Sequence, residues 1–363
     1  MNTMGATSPQ RDELRAKYQA AAESILQRLS LQFTIKAFNS LDLFDLGVDL
    51  LLFNPFDEDF LASKKCLFRP LPQGFLADYF VDSSKVLDGA CKRLQFPDYW
   101  PPSDPTRLVP VDPTREVYSY LKIHYRCMER KRPKGHLKDL SKWDSIGSVT
   151  NPFPKLPVVD ADYSYERPYP SPLPFWDYLL VMQPSTEKGD TVTAMPPIQL
   201  IISNNTTAEE NELLHGELGP IVQAVHTRLN QPGFEKTSFF PVQVLSLFEP
   251  RHGRILQARF QPSGRLVVRA SNIWSFEDKR NVIDLFLRFW VSEPCDAEDY
   301  EFSVDEDSLR DLSQVLSVLS PRPAVDLFKA EEDSSSPGSL SPFLPVPIPS
   351  LGKENVHPRS GKE

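Results

Sequence analysis

The best match to a catalytic pattern is Glu277-Asp278-Lys279, which has the Glu-x-Lys form of metal-dependent nuclease cores. In such a core, strand carboxylates hold a divalent ion and the lysine steadies the attacking water. Here Glu277 and Lys279 lie at a capping-box-like helix start and not in a strand. The preceding carboxylate, Glu249, falls in a predicted loop. We therefore favour a helix-start carboxylate, and a degenerate nuclease core remains the enzymatic alternative.

Two histidine tripeptides, His215-Gly216-Glu217 and His252-Gly253-Arg254, have no visible nucleophile partner and are interpreted as turn or cap residues. His124, Cys127 and His136 lie near one another but lack a fourth ligand at zinc-site spacing. The sequence contains no Walker A loop, no GxGxxG, no HExxH and no GxSxG. We expect no catalytic residue, no cofactor and no metal ligand.

The basic residues concentrate between Lys122 and Lys142. Within this block, Lys131, Arg132 and Lys134 surround a proline in a short nuclear-localisation pattern. Nuclear import is one interpretation, and a solvated basic face is the other.

Short regulatory motifs fill the last part of the chain, which is rich in proline, serine and charge and is expected to be disordered. Serines followed by proline are candidate phosphorylation sites. A Lys-Glu-Asn triplet resembles the KEN degron that the anaphase-promoting complex reads. The candidate phosphosites are Ser320, Ser336 and Ser341, and the candidate degron is Lys353, Glu354 and Asn355.

Composition limits the class of protein. The chain has 363 residues, enough for one large or two ordinary domains, and its 35 prolines against 15 glycines predict long irregular connections. A formal charge of −9 gives no general case for nucleic-acid binding. Four widely spaced cysteines, no signal peptide and no long apolar run predict a cytoplasmic protein without membrane association, with a nuclear location as the alternative.

Three short strands followed by a helix form the predicted centre of the chain. The strands are expected at Pro241–Phe248, Arg254–Phe260 and Arg265–Ser271, where apolar residues alternate between turn residues. A stripe of apolar residues at helical spacing predicts a helix from about Lys279 to Val291.

The loops between these strands set their register. A three-residue loop ending at Gly264 places Phe260 opposite Leu266 on one face of the sheet. The earlier loop continues that face and places Val242 opposite Phe260. On the other face, the end that carries Gln257, Arg259 and Arg269 is expected to be exposed to solvent.

The order strand, helix, three strands, helix predicts an α+β fold. We expect a small antiparallel sheet, with strands near 241–248, 254–260 and 265–271 plus 198–202, packed with helices. The expected domains are a helical or mixed region at 1–150, a Pro/aromatic-rich crossing segment at 151–176, an α+β core at 177–319 and the tail at 320–363.

Further helices are predicted after Ser8 and near Thr114–Met128. The apolar stretch around Leu41–Phe53 is interrupted by aspartates, and more acidic residues follow it. Because no EF-hand spacing is present, these charges are interpreted as solvated loop residues. They are Asp42, Asp45, Asp49, Asp57, Glu58 and Asp59.

One stretch resembles uncharacterised proteins of filamentous fungi. The resemblance rests on 252–256, 266–269, 274–276 and 284–289, and it covers roughly Pro241–Pro294. Proteins of that sort can occur beside specialised-metabolite genes. The resemblance therefore implies an accessory role in such a pathway and names no activity.

The predicted function is that of a non-catalytic accessory or binding protein whose partner is a protein or a small molecule. The alternative is a phospho-regulated nuclear interaction factor with a KEN-type degron.

Overall fold

The computed structural model describes residues 8–82, 113–146, 176–188, 191–277 and 279–295. Contacts group Met1–Gln314 into one unit and Val315–Glu363 into a second, which lies outside the described residues. In chain order the elements are α1 (Ser8–Leu31), β1 (Ala37–Phe38), α2 (Ser40–Asp45), β2 (Val48–Leu52), α3 (Glu58–Ala62), β3 (Phe68–Arg69), a 3-10 turn (Phe75–Asp78), β4 (Tyr79–Val81), α4 (Pro113–Cys127), β5 (Met128–Lys131), β6 (Lys134–His136), a second 3-10 turn (Leu137–Leu140), β7 (Trp143–Ser145), β8 (Trp176–Lys188), β9 (Thr191–Ala194), β10 (Ile198–Asn204), β11 (Leu213–Leu214), α5 (His215–Leu229), β12 (Val242–Phe248), β13 (His252–Phe260), β14 (Leu266–Ala270), β15 (Trp274–Ser275), α6 (Lys279–Trp290) and β16 (Glu293–Pro294).

One mixed sheet forms the centre of this sheet-rich α+β fold. Its strand order is β2-β14-β13-β12-β10-β8-β7, with β15 paired to β13 and β9 to β8. β2 runs parallel to β14 and β10 runs parallel to β12, while the other neighbours on this path are antiparallel. The expectation of a small antiparallel sheet is therefore wrong. Helix α5 crosses over between β10 and β12, which makes that pair parallel, and β2 joins from the N-terminal part of the chain.

The predicted register of the second hairpin is confirmed, and that of the first is wrong. Phe260 lies opposite Leu266, and Gly264 takes the left-handed conformation with φ at 88°. Val242, however, lies opposite Ala258, two residues from the expected partner. A shift of two residues keeps the same side chains on the same face of the sheet.

Gly253 explains the shift. The sequence suggests a turn glycine, but Gly253 is inside β13, and the turn consists only of 249–251. A Cβ atom on this residue would lie 2.8 Å from the Ser246 carbonyl oxygen and 2.9 Å from the Phe286 ring. The position therefore requires glycine because β12 and α6 approach it closely.

Both faces of the sheet are covered. One face packs against α1 and α5, with Val244, Leu256 and Val268 in the shared core. The other packs against α4 and α6, with Leu245 and Ile255 in a second core. The predicted helices α4 and α6 are confirmed within one residue at each end, and α1 begins where its start was predicted.

The expectation that one end of the second face, which packs against α4 and α6, is exposed to solvent is wrong. Gln257, Arg259 and Arg269 are all buried, since the segment at 66–69 lies over Gln257 and Phe60 of α3 lies against Arg269. Arg269 places its guanidinium carbon 5.8 Å from the centre of the Phe60 ring. These side chains belong to the interior of the protein and do not form a basic surface.

A row of polar side chains crosses this face and binds the backbone of the covering elements. Gln199 and Gln243 donate to the Phe289 carbonyl oxygen at 2.9 and 2.8 Å, near the C-terminal end of α6. Gln257 accepts from the Leu67 amide at 2.8 Å. These side chains supply hydrogen bonds to buried backbone groups that have no partner on a neighbouring strand, so the row has a structural role.

Within the described ranges, no helix has the length and apolar character needed to cross a bilayer.

Candidate protein-docking surface

Exposed apolar side chains concentrate in one short part of the described chain. Five of the six exposed large hydrophobic residues lie between the end of α1 and the end of β2, and the sixth is Leu140. Leu31 is 75% exposed, Leu41 51% and Leu52 50%. We use the name β2-edge surface for Leu41 and Phe44 of α2, which packs on β2, and Leu52 of β2, together with the outer backbone edge of β2.

Helix α2 holds part of this surface in a fixed orientation. The Asn39 side chain accepts from the amides of Leu41 and Asp42 at 2.9 and 3.1 Å, and the Asp42 carboxylate accepts from the Asn39 amide at 3.2 Å. This capping box satisfies the first amides of the helix. Leu43 is then buried in the core, while Leu41 and Phe44 face solvent.

β2 is an edge strand in the described sheet, where it pairs with β14 alone. The Gly47 carbonyl accepts from the Leu266 amide, and the Phe53 amide donates to the Ala270 carbonyl. In a parallel pair, alternate residues of a strand turn their backbone groups toward the partner. The N–H and C=O groups of Val48, Leu50 and Leu52 therefore point to the outer edge.

Arg265 fixes β2 and α2 to the sheet. Its Nε lies 2.9 Å and its second terminal nitrogen 2.6 Å from Asp49 Oδ1, and the Phe44 ring centre lies 5.0 Å from its guanidinium carbon. Two nitrogens of one guanidinium group fix the orientation of the Asp49 carboxylate, and the stacked Phe44 ring adds a cation–π contact. Phe44 is thus held at the N-terminal end of β2.

The two short helices before and after β2, α2 and α3, carry only acidic charges, while Lys36, Lys64 and Lys65 are the exposed basic residues of the surrounding chain. α2 contributes Asp42 and Asp45, and Asp57, Glu58 and Asp59 begin the turn and helix that follow β2. All five side chains are exposed, but the sixth residue of the predicted set, Asp49, lies inside β2 with a side chain only 10% exposed and paired with Arg265, so the solvated-loop interpretation is wrong for Asp49. An apolar edge with acidic residues before and after it is the combination that a basic partner segment would complement.

The candidate nuclear-localisation residues lie at the turn between β5 and β6. Lys131 pairs with Lys134 across the hairpin, and Arg132 is exposed between them. The Lys131 Nζ lies 5.0 Å from the centre of the Phe80 ring on β4. Nuclear import stays a prediction, and recognition of this motif as an extended peptide would require the hairpin to open.

The candidate phosphosites and degron residues lie outside the described residues and stay predictions. They are Ser320, Ser336, Ser341, Lys353, Glu354 and Asn355.

The residues of the nuclease alternative do not come together on strands. Glu277 is in the turn after β15, Lys279 begins α6, and Glu249 is in the turn after β12. Among the described residues, no three His, Cys, Asp or Glu side chains assemble as a metal site would require. His124 instead donates through Nδ1 to the Tyr120 carbonyl at 2.9 Å, and burial lowers the pKa of His124.

The two histidine tripeptides meet in a way that sequence reasoning missed. Glu217 and Arg254 form an ion pair with both side chains fully buried, and Arg254 Nε lies 2.9 Å from Glu217 Oε1. Arg254 also donates to the carbonyls of Glu209 and Glu212, and Glu217 accepts from the Leu214 amide. Every partner is within the chain and the pair is closed to solvent, so its role is to join α5 to β13.

His215, at the start of α5, is buried beside Phe38, with the two ring centres 5.7 Å apart. Burial lowers the pKa of His215, and a hydrogen bond to the Ile35 backbone opposes that shift. Its Nδ1 has no hydrogen-bond partner among the described residues. A histidine held neutral in this way affects the pH dependence of stability.

The sign of that dependence follows from the lowered pKa of His215. Below pH 6.5 the unfolded chain binds a proton that the folded chain resists, so stability should fall from pH 7.5 to pH 5.5. His124 and His252, whose pKa values are also lowered by burial, act in the same direction. Urea unfolding of the natural chain and of His215→Gln at both pH values measures the effect. The variant should lose less stability on acidification, and an equal loss in both proteins would contradict this role.

Comparisons of the chain with protein-family models, with curated proteins and with solved structures found no match. The resemblance to fungal proteins gains no support from these comparisons.

Sequence reasoning identified the apolar stretch around Leu41–Phe53 and its aspartates but not their arrangement. The signal that marks the surface is the pairing of Leu41 and Phe44 on the outer side of a short helix with an edge strand directly after it. Whether a strand lies at an edge depends on distant parts of the chain, and the sequence alone does not show it.

Proposed function

We propose that this protein acts by binding another protein at the β2-edge surface and performs no chemistry there. The observation that carries the proposal is the concentration of exposed apolar side chains around an edge strand that Arg265 and the α2 capping box hold in place. Exposed apolar patches with polar rims mark interaction sites, and an open strand edge is a further site for association.

A protein partner fits this surface better than a small molecule does. Small-molecule sites are concave and enclose most of the ligand. Leu41 and Leu52 are instead about half exposed, which suits a partner that covers area from outside. An accessory role in a specialised-metabolite pathway and a regulated nuclear role both stay predictions, and both are compatible with binding at this surface.

Substitution of exposed leucines tests the proposal. The double variant Leu41→Ser, Leu52→Ser removes apolar area from α2 and from β2, whereas Leu140→Ser removes an exposed leucine elsewhere. Each surface change should alter the free energy of unfolding by less than about 0.5 kcal/mol. The tagged full-length chain is purified from its native cells, and the proteins that accompany it are quantified.

Proteins bound through the β2-edge surface should be depleted about tenfold or more from the double variant, as expected when central contacts are removed. They should be retained by Leu140→Ser. The same accompanying proteins at the same levels in all three preparations would overturn the proposed function.

A further inference from the structure

We infer that the partner contributes an extended segment that pairs with the outer edge of β2, with apolar residues at alternate positions and lysine or arginine at its ends. This inference rests on the proposed function and specifies the chemistry of the partner.

The backbone edge provides the first argument. The N–H and C=O groups of Val48, Leu50 and Leu52 point outward, and no other described strand pairs with them. At about 3.3 Å per residue, the edge from Val48 to Leu52 extends about 13 Å and matches a segment of about five residues. Main-chain hydrogen bonds along such an edge give affinity, and alternate side chains give specificity.

The composition of β2 provides the second argument. Edge strands of natural proteins are usually protected from pairing by lysine, proline or a bulge. The strand Val48–Leu52 contains neither lysine nor proline, and its one charge, Asp49, is bound to Arg265. Lysine, proline and a bulge are therefore absent from this described strand, and the one charge it carries is neutralised by Arg265.

The two faces of β2 set the side-chain preference. Val48, Leu50 and Leu52 lie on the face shared with α1 and α5, where Val48 is buried, Leu50 half-buried and Leu52 exposed. A paired residue on the same face lies about 5 Å away. Apolar residues at alternate positions of the added segment would therefore cover Leu50 and Leu52.

The charges select a basic segment and disfavour a second copy of this chain. Exposed acidic residues lie before β2 at Asp42 and Asp45 and after it at Asp57, Glu58 and Asp59. Two such edges placed together would bring like charges together, which costs free energy. Lysine or arginine at the ends of the segment would meet opposite charge, and salt would weaken the attraction.

The test uses the full-length chain and synthetic nine-residue peptides. The first has alternating valine and threonine between pairs of lysines, and the second has glutamates in place of the lysines. Two further peptides carry N-methyl groups on alternate residues, one set on the valines and the other on the threonines. Binding is measured by fluorescence anisotropy at low and high salt, and backbone protection by hydrogen exchange over 47–53.

The lysine peptide should bind, slow exchange over 47–53, and lose affinity several-fold at high salt. The glutamate peptide should bind about tenfold or more weakly. Because a strand added at one edge uses the amides of every second residue, one N-methylated peptide should fail and the other should bind. Equal behaviour of the two N-methylated peptides would overturn strand pairing.

A variant of the chain tests the same hydrogen bonds from the side of β2. Leu52→Pro removes an outward N–H at an exposed position and leaves the hydrogen bonds between β2 and β14 intact. It should abolish peptide binding without loss of the folded state, measured by circular dichroism. Undiminished binding to Leu52→Pro, or dimerisation of the natural chain through β2, would overturn the inference.

The outcomes separate this inference from the proposed function. Partner depletion in the Leu41→Ser, Leu52→Ser variant without protection of 47–53 by any peptide would overturn strand pairing and leave the docking surface standing. Absence of both effects would overturn both.

Discussion

Arg254→Met should lower the free energy of unfolding by about 3–5 kcal/mol, because removal of one partner leaves the other charge buried. Glu217 is fully buried and would keep only the Leu214 amide as a described donor. The Glu212 carbonyl would lose its Arg254 donor as well, and the Glu209 carbonyl would keep only the Glu212 amide. Urea unfolding followed by far-UV circular dichroism measures the change.

Lys142→Met is the matched control for Arg254→Met. Lys142 pairs with Glu293 at 2.8 Å, but both side chains are about 65% exposed, and such a pair contributes about 0–1 kcal/mol. The double variant Glu217→Leu, Arg254→Met should be more stable than Arg254→Met alone, because no unpaired charge remains. Equal effects of Arg254→Met and Lys142→Met would contradict a structural role for the buried pair.

Gly216→Ala should destabilise the protein by about 1–3 kcal/mol through overpacking, even though alanine favours a helix by about 1 kcal/mol. A Cβ atom at Gly216 would lie 2.0 Å from Asn204 Oδ1 and 2.5 Å from Trp176 Cβ. The first turn of α5 would have to move away from β8 and β10. Asn204 would also lose the geometry of its 3.2 Å hydrogen bond to Ser246 Oγ.

Gly135→Ala is the control, because no atom lies within 4 Å of the Cβ position at that residue. Its effect on the midpoint of urea unfolding should be small, within about 0.5 kcal/mol. A Gly216→Ala protein as stable as the natural chain would show that α5 does not pack as closely on β8 and β10 as described.

The sequence predicted those parts of the fold whose signals are local. The hairpin at Phe260 and Leu266 is defined by its own loop and by the alternation of its strands, and its register is confirmed. Helices α1, α4 and α6 are marked by apolar residues at helical spacing over several turns. Each of these signals lies within one short stretch of sequence.

The parts that were missed depend on distant contacts. β2 pairs with β14, which is far from it in sequence, and β7 and β8 were not predicted as strands, so a small antiparallel sheet was predicted where a large mixed one exists. Gly253 suggested a turn because its packing against Phe286 on α6 is not visible locally. Arg269 suggested a solvent-exposed face because the residue that covers it, Phe60, comes from a distant part of the chain.

The β2-edge surface was predictable only in its composition. The aspartates and the apolar residues around Leu41–Phe53 are visible in the sequence, and the exposure of the aspartates of α2 was expected. That Leu41 and Leu52 would also be exposed follows from the position of β2 at one end of the strand order, which requires the topology of the whole sheet.

Photo-crosslinking from the β2-edge surface tests the central claim most directly. A benzophenone amino acid replaces Leu41 in the full-length chain in its native cells, and a second protein carries it in place of Leu140, which is also exposed. We predict a covalent adduct with another polypeptide from position 41, formed at a basic, apolar segment of that polypeptide, and no such adduct from position 140. Absence of an adduct at position 41, or the same adducts from both positions, would contradict binding at this surface.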